Sequence, residues 1–281
     1  MNYKRFSMRI QQLIYSSHKI EEKKEEWYEI KKNVLSTKNH SRHISKLINV
    51  LKLNYQSSIL DHGCGSCSTL LYLFCLGYEN IWGVDISCDD KIINNFLSKV
   101  CNLKSDRIYN YDGKNLPFKN DQFDLLVSQQ VLEHIEYDKK DLTIKEHARV
   151  LKKGAYAYYQ IPHLLVPYEA HTKTWLIHWL PRKFTVYILK IFKKNSDFYQ
   201  KHLFLSLPFK YKNLIKKQIG SFQDLSQNRV SIFNNEFNEL RGLSLFIRLM
   251  VAKICAIPYI GKLIMKLLSN FIMIEILVLK K

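Results

Sequence analysis

An α/β fold built on a doubly wound sheet follows from two features of the sequence. Between residues 57 and 162, short apolar runs alternate with helical patterns, which argues for a parallel sheet with helices on both faces. The first run, "ILDHGCGSC" at 59–67, ends in two glycines spaced by one residue. A strand that closes in such a turn brings its backbone close to a ligand. Ligands of these sheets bind at the carboxyl ends of the strands, where the winding reverses. The turns at 61–67 and 85–88 both lie there.

Each element has its own local reason. Residues 1–20 contain four cations and no acid, with Tyr3, Phe6, Ile10, Leu13 and Ile14 at helical spacing; they read either as a targeting presequence or as an amphipathic helix. A charged helix follows, anchored by Trp27, Tyr28 and Ile30, and "SRHISKLINVLKL" (41–53) repeats apolar residues at three and four. These make 1–50 an N-terminal helical cap on a domain spanning 51–281. "SSILDHG", "IWGVDIS", "FDLLVSQ" and "AYAYYQIP" predict strands. "STLLYLFCLGY", "KIINNFLSKVC" and "KKDLTIKEHARVLKKG" predict the helices between them, the last closed by Gly154 as a C-cap.

An apolar share of 47% with 13% aromatics excludes a disordered chain. Six cysteines in 281 residues make no disulfide framework. Cys64 and Cys67 form a lone CxxC without a second pair, which speaks against zinc and for small residues in a crowded turn. Together these point to a reducing, cytoplasmic setting. Residues 182–281 hold 18 Lys and Arg against 5 Asp and Glu, most of the overall +18. Such a concentration suits an anionic surface, lipid or nucleic acid, or simply a solvated basic face.

The glycine turn calls for a particular ligand. Asp61 stands two residues before Gly63, where a carboxylate repels pyrophosphate but attracts an ammonium. Asp85 closes the next strand and can accept from both hydroxyls of a ribose. An amine, a carboxylate for the helix N-terminus after Gly65 and a ribose are the parts of S-adenosylmethionine.

"ILDHGCGSC", "GVDIS", "YDGKNLPFKNDQFDLLVSQQVLEHI" and "EHARVLKKGAYAYYQIPH" together resemble, in order, the motifs of class I S-adenosylmethionine-dependent methyltransferases of the type 11 group, over about 50–163. The resemblance implies a Rossmann-like, seven-stranded sheet whose last strand, at about 271–280, is antiparallel. It implies that 51–163 is the cofactor half, with elaborations at 164–207 and 236–270. It also implies that Asp61, Gly63, Cys64 and Gly65 line the methionine end and Asp85 with Ile86 the ribose. Asp112 and Gly113 would flank the adenine, and Ser128 and Gln129 would lie beneath the sulfonium. Cys67 replaces the third glycine usual in that turn, and a thiol is accommodated there with φ negative.

An oxygen acceptor needs a base, for which the sequence offers His163, directly after a strand, then His134, Glu169 and His171. The bland alternatives are a packing role for His134 and a shared helix face for His171 and His178. Gln130 replaces the extra Glu of ubiquinone-pathway O-methyltransferases, which argues against a metal at Glu133 and His134. "YEAHTKTWLIHWLP" (168–181) resembles type 11 enzymes encoded with glycan genes. The expected partner is therefore a small-molecule, glycan or lipid-linked acceptor. Residues 243–269, apolar and cationic but broken by Pro258, read either as a peripheral membrane contact, at the inner face of a membrane, or as a helical cap on the core. An RNA methyltransferase is the alternative that shares the charge, and an inactive scaffold the alternative that shares the fold.

Overall fold

The computed structural model describes residues 42–101, 105–226, 263, 266, 267 and 269–281. The sequence expectations for 1–41, and for most of 243–269, fall outside these residues. The chain divides into two compact units. One runs to Ser128 and takes up Lys145–Ala157 and Lys280; the other holds Gln129–Ile144, Tyr158–Leu279 and Lys281.

The strands are β1 (Ile59–His62), β2 (Ile81–Asp85), β3 (Ile108–Asn110), β4 (Phe123–Gln129), β5 (Leu151–Ile161), the hairpin β6 (Tyr168–Glu169) and β7 (Thr174–Trp175), β8 (Phe222–Asp224) and β9 (Ile274–Leu279). Seven of them form one mixed sheet in the order β3-β2-β1-β4-β5-β9-β8. β1 pairs parallel with β2 and β4, and β2 with β3, while β9 pairs antiparallel with β8. All four residues of β1 are buried, as expected of a central strand covered on both faces.

In the first unit, α1 (Arg42–Val50) buries Ile44, Leu47 and Ile48, at the three-and-four spacing of one face. α2 (Ser68–Cys75) follows β1 and α3 (Asp90–Cys101) follows β2. α4 (Lys140–Val150) straddles the boundary between the units, and its C-terminal half carries Glu146 and Arg149. Arg149 donates to the carbonyls of Phe118 (2.8 Å) and Leu116 (3.0 Å), and Glu146 accepts from the Leu116 N–H (2.8 Å). This clamp fixes the loop that leads into β4, so the "EHARV" motif shapes a segment thirty residues upstream.

Gly154 does not cap α4. The helix stops at Val150, β5 starts at Leu151, and Gly154 lies inside it with φ 73°. Its N–H donates to the Lys280 carbonyl (3.0 Å), and the Lys280 N–H to the Ala155 carbonyl (2.9 Å). Backbone pairing with the chain's last residues holds 151–155 extended where local signals favour a cap.

In the second unit, α5 (Arg182–Ile191), α6 (Ser196–His202) and α7 (Pro208–Gln218) follow the hairpin. Leu189, Tyr199, Leu203 and Leu205 make a buried cluster there. Arg182 donates to the carbonyls of Tyr199 (3.0 Å), Gln200 (2.7 Å) and Leu203 (2.7 Å), meeting the open acceptors at the end of α6. His171 and His178 share no helix face. His171 lies in the turn of the β6–β7 hairpin and His178 in a 3-10 turn, Ile177–Trp179. Positive φ at Lys173 (54°) and Leu176 (61°) excludes a continuous helix.

Candidate active site

β1 ends in a turn that only small residues and local backbone bonds can hold. Gly63 (φ 72°) and Gly65 (φ 50°) are left-handed. The N–H of Gly63 bonds the Val84 carbonyl at 2.8 Å, tying the turn to β2. Among the described residues, none comes within 4 Å of a Cβ added at Gly65, so none of them fills the space over the turn. Cys64 and Cys67 are buried with Sγ atoms 3.8 Å apart. Cys67 departs from the sequence expectation of negative φ. It is left-handed, at 58°, immediately before α2, a conformation that costs a non-glycine residue about 1–2 kcal/mol.

Two carboxylates converge on this turn. Asp85 accepts from the N–H of Gly65 (2.9 Å) and, on its other oxygen, from the N–H of Ser87 (3.0 Å). That second oxygen, Oδ1, also accepts from the Ser87 hydroxyl (3.2 Å), which leaves the further lone pair on Oδ2. Asp61 is only 5% exposed, and its carboxylate accepts no hydrogen bond from the described residues. Burial, reinforced by Asp85, pushes its pKa up to about 7. A buried acid held near neutrality beside that space over the turn fits an ammonium group, whose charge would restore the carboxylate.

The residues expected around the ribose and adenine lie beyond β2 and β3. Ile86 is 64% exposed, and a Cβ added at Gly113 (φ 75°) would lie 3.4 Å from its Cγ2. One oxygen of Asp112 accepts from the N–H groups of Lys114 (2.8 Å) and Asn115 (3.0 Å), bonds that hold its pKa below the ordinary value. Ser128 is buried and faces inward, 3.2 Å from His62 Nδ1; Gln129 ends β4 half-buried. The sequence reading missed this histidine. His62 Nε2 lies 2.9 Å from Tyr111 Oη, and its ring packs edge-on to His147 at 4.4 Å. Burial pulls its pKa down to about 4, despite the nearby Asp85. A neutral histidine therefore bridges the ends of β1, β3 and β4 beneath the turn. Its position next to Asp61, on the opposite side of the strand, was the available signal.

Residues 60–159 match the methyltransferase domain family. The chain carries an S-adenosylmethionine-dependent methyltransferase domain over those residues. Among solved structures, Haemonchus contortus phosphoethanolamine N-methyltransferase 2, in complex with phosphomonomethylethanolamine and S-adenosylhomocysteine, shares the fold with a TM-score of 0.50. It is 15% identical, over 86% of this chain and 53% of that one, so the present chain matches about half of its length. Geranyl diphosphate methyltransferase in complex with S-adenosylmethionine also has a TM-score of 0.50, at 11% identity over 90% of each chain. Among curated proteins, none matches this sequence.

The second unit carries the methyltransferase's remaining candidate groups. His163 is not placed as a base. Nε2 lies 2.7 Å from the Ile272 carbonyl and Nδ1 accepts from the Leu165 N–H (3.2 Å), so both nitrogens are engaged. Burial, partly offset by the Ile272 bond, pulls its pKa down to about 4. His171 is arranged differently. Its Nδ1 lies 2.7 Å from Glu169 Oε1, and its ring stacks on Phe198 at 5.0 Å. Burial alone would raise the pKa of Glu169, but its bonds to His171 and Thr172 prevail and hold it at about 2. The carboxylate thus fixes Nδ1–H and leaves Nε2 as the acceptor nitrogen. His134 packs edge-on to His171 at 5.0 Å and has its Nδ1 2.7 Å from the His202 carbonyl.

Next to His134, Glu133 is fully buried, with neither carboxylate oxygen hydrogen-bonded. Burial pushes its pKa up to about 8, only partly offset by Lys140. Lys140 Nζ is held by Ser206 Oγ (3.3 Å), Tyr211 Oη (3.2 Å) and the Phe204 carbonyl. No sequence signal marks Glu133 and Lys140, whose charges act on one another only through the fold. Among the described residues no group of three or more His, Cys, Asp or Glu is arranged to hold a metal, and no helix is long and apolar enough to cross a membrane.

Proposed function

We propose that the enzyme methylates a hydroxyl oxygen of a small-molecule, glycan or lipid-linked acceptor, with His171 as general base. The observation that carries this reading is the Glu169–His171 pair, 2.7 Å apart. S-adenosylmethionine, when bound, supplies an electrophilic methyl group on a cationic sulfonium. Asp61 would hold its amine, Asp85 its ribose, and the loops at Ile86 and Asp112–Gly113 its base. His171 Nε2 would take the hydroxyl proton as the oxygen–carbon bond forms and the methyl–sulfur bond breaks, with neutral S-adenosylhomocysteine as the leaving group. Glu169 stabilises the imidazolium that results, as a carboxylate behind a catalytic histidine does.

His171→Ala should lower turnover by roughly 10²–10⁴-fold, with affinity for S-adenosylhomocysteine unchanged. Glu169→Gln should lower it less, because Nδ1–H keeps an acceptor but loses the carboxylate charge behind it. Turnover is followed with labelled cofactor on cell extracts, from which the methylated product is recovered by mass spectrometry. Near-normal turnover in the His171→Ala protein would reject the base.

A further inference from the structure

Helix α5 has two sides of opposite character. Thr185 and Leu189 are buried, and Val186 packs on the cluster around Leu189. Phe184, Tyr187 and Ile191, at i, i+3 and i+7, lie away from that core and expose 62%, 64% and 58% of their surface. Trp175, Trp179 and Phe192 flank this stripe and expose 67%, 43% and 63%. Single exposed apolar residues need no explanation, but six in one short stretch do.

The charges beside them are all of one sign. From Ala170 to Ser196 there are six Lys and Arg and no Asp or Glu. Arg182 is engaged by backbone carbonyls. Lys183, Lys190, Lys193 and Lys194 are exposed, next to the aromatic residues. Phe271, also exposed, has its ring centroid 6.4 Å from that of Trp179.

We propose that this face docks on a bilayer interface containing anionic lipid. Trp, Tyr and Phe rings suit the boundary between headgroups and acyl chains, and lysines suit the phosphates just above it. A second copy of the chain would oppose the cations to themselves. Nucleic acid would use the rings and lysines but leave Leu180 and Ile191 without a partner. The docking does not depend on which acceptor is methylated, and its test reads binding alone.

The full chain is sedimented with vesicles of equimolar phosphatidylcholine and phosphatidylglycerol, and with phosphatidylcholine alone. Tryptophan emission is recorded with brominated acyl chains. The expected result is co-sedimentation with the anionic vesicles, weakened by salt, together with quenching that diminishes in Trp175→Phe/Trp179→Phe. The triple variant Phe184→Ser/Tyr187→Ser/Ile191→Ser and the triple variant Lys183→Glu/Lys190→Glu/Lys193→Glu should each lose roughly tenfold or more in partitioning, with melting temperatures close to wild type. A wild-type protein left in the supernatant, or variants that sediment as it does, would overturn the proposal. So would a dimer that the serine variant splits, or blue-shifted Trp175 and Trp179 emission before vesicles are added, which would mean that the chain itself covers the face.

Discussion

Asp61 ties cofactor binding to pH. In the ligand-free protein, burial and the Asp85 charge raise its pKa from 3.8 to about 7, yet an ammonium group is held only by the ionised form. At pH 7 about half of the molecules carry that form, and at pH 5 about one in a hundred. Affinity for S-adenosylhomocysteine should therefore fall roughly fifty-fold between pH 7 and pH 5, about 2.3 kcal/mol. Titration calorimetry in buffers of different ionisation enthalpy would also record release of nearly one proton at pH 5. Asp61→Asn should bind more weakly at pH 7 and lose both the pH dependence and the proton release. The sign for stability runs the same way. The native state holds a proton that the unfolded chain releases above about pH 4, so the ligand-free protein loses this contribution as pH rises through 7. A flat wild-type binding profile between pH 5 and 7, or an unchanged one in the variant, would refute the role of Asp61.

Three further outcomes follow from single side chains. Gly83→Ala would put a Cβ 2.7 Å from Ile108 Cδ1 and 2.9 Å from Cys64 Sγ, so it should cost about 1–3 kcal/mol by thermal melting and disturb the turn. Glu133 has a folded pKa near 8 against an ordinary value of 4.5, so its contribution is present at low pH and is lost as pH rises through 8. Glu133→Gln should gain on wild type between about pH 4.5 and 8, by roughly 4 kcal/mol at pH 8 in denaturant titrations; a pH-independent difference would contradict this. His163→Ala should lower stability by about 1–3 kcal/mol while leaving turnover per folded molecule within a few-fold, and a large loss of turnover would restore it as a base.

The sheet was legible where pattern and function coincide. "FDLLVSQ" matches β4 residue for residue because a buried central strand is a continuous apolar run. β3 and β8 were not legible: three residues each, they are fixed by pairing with β2 and β9 rather than by any pattern of their own. Gly154 misled for the same reason, since its partner, Lys280, is remote in sequence. At the site, Asp61 and Asp85 could be read because a turn and a strand end confer meaning on a carboxylate. The histidines could not be ranked. His163 has the better sequence position, but only tertiary contacts reveal that Ile272 and Leu165 engage both its nitrogens, and that Glu169 orients His171.

The central claim is that the turn at 61–65 and the carboxylate of Asp85 bind S-adenosylmethionine. Calorimetric titration of the full chain with S-adenosylmethionine, its demethylated product and NAD tests it most directly. The account predicts one site for the first two, no heat with NAD, and a loss of about 1.5–3 kcal/mol for Asp85→Ala, the range for hydrogen bonds to a charged group. Binding of NAD in place of S-adenosylmethionine, or an Asp85→Ala protein of undiminished affinity, would contradict it.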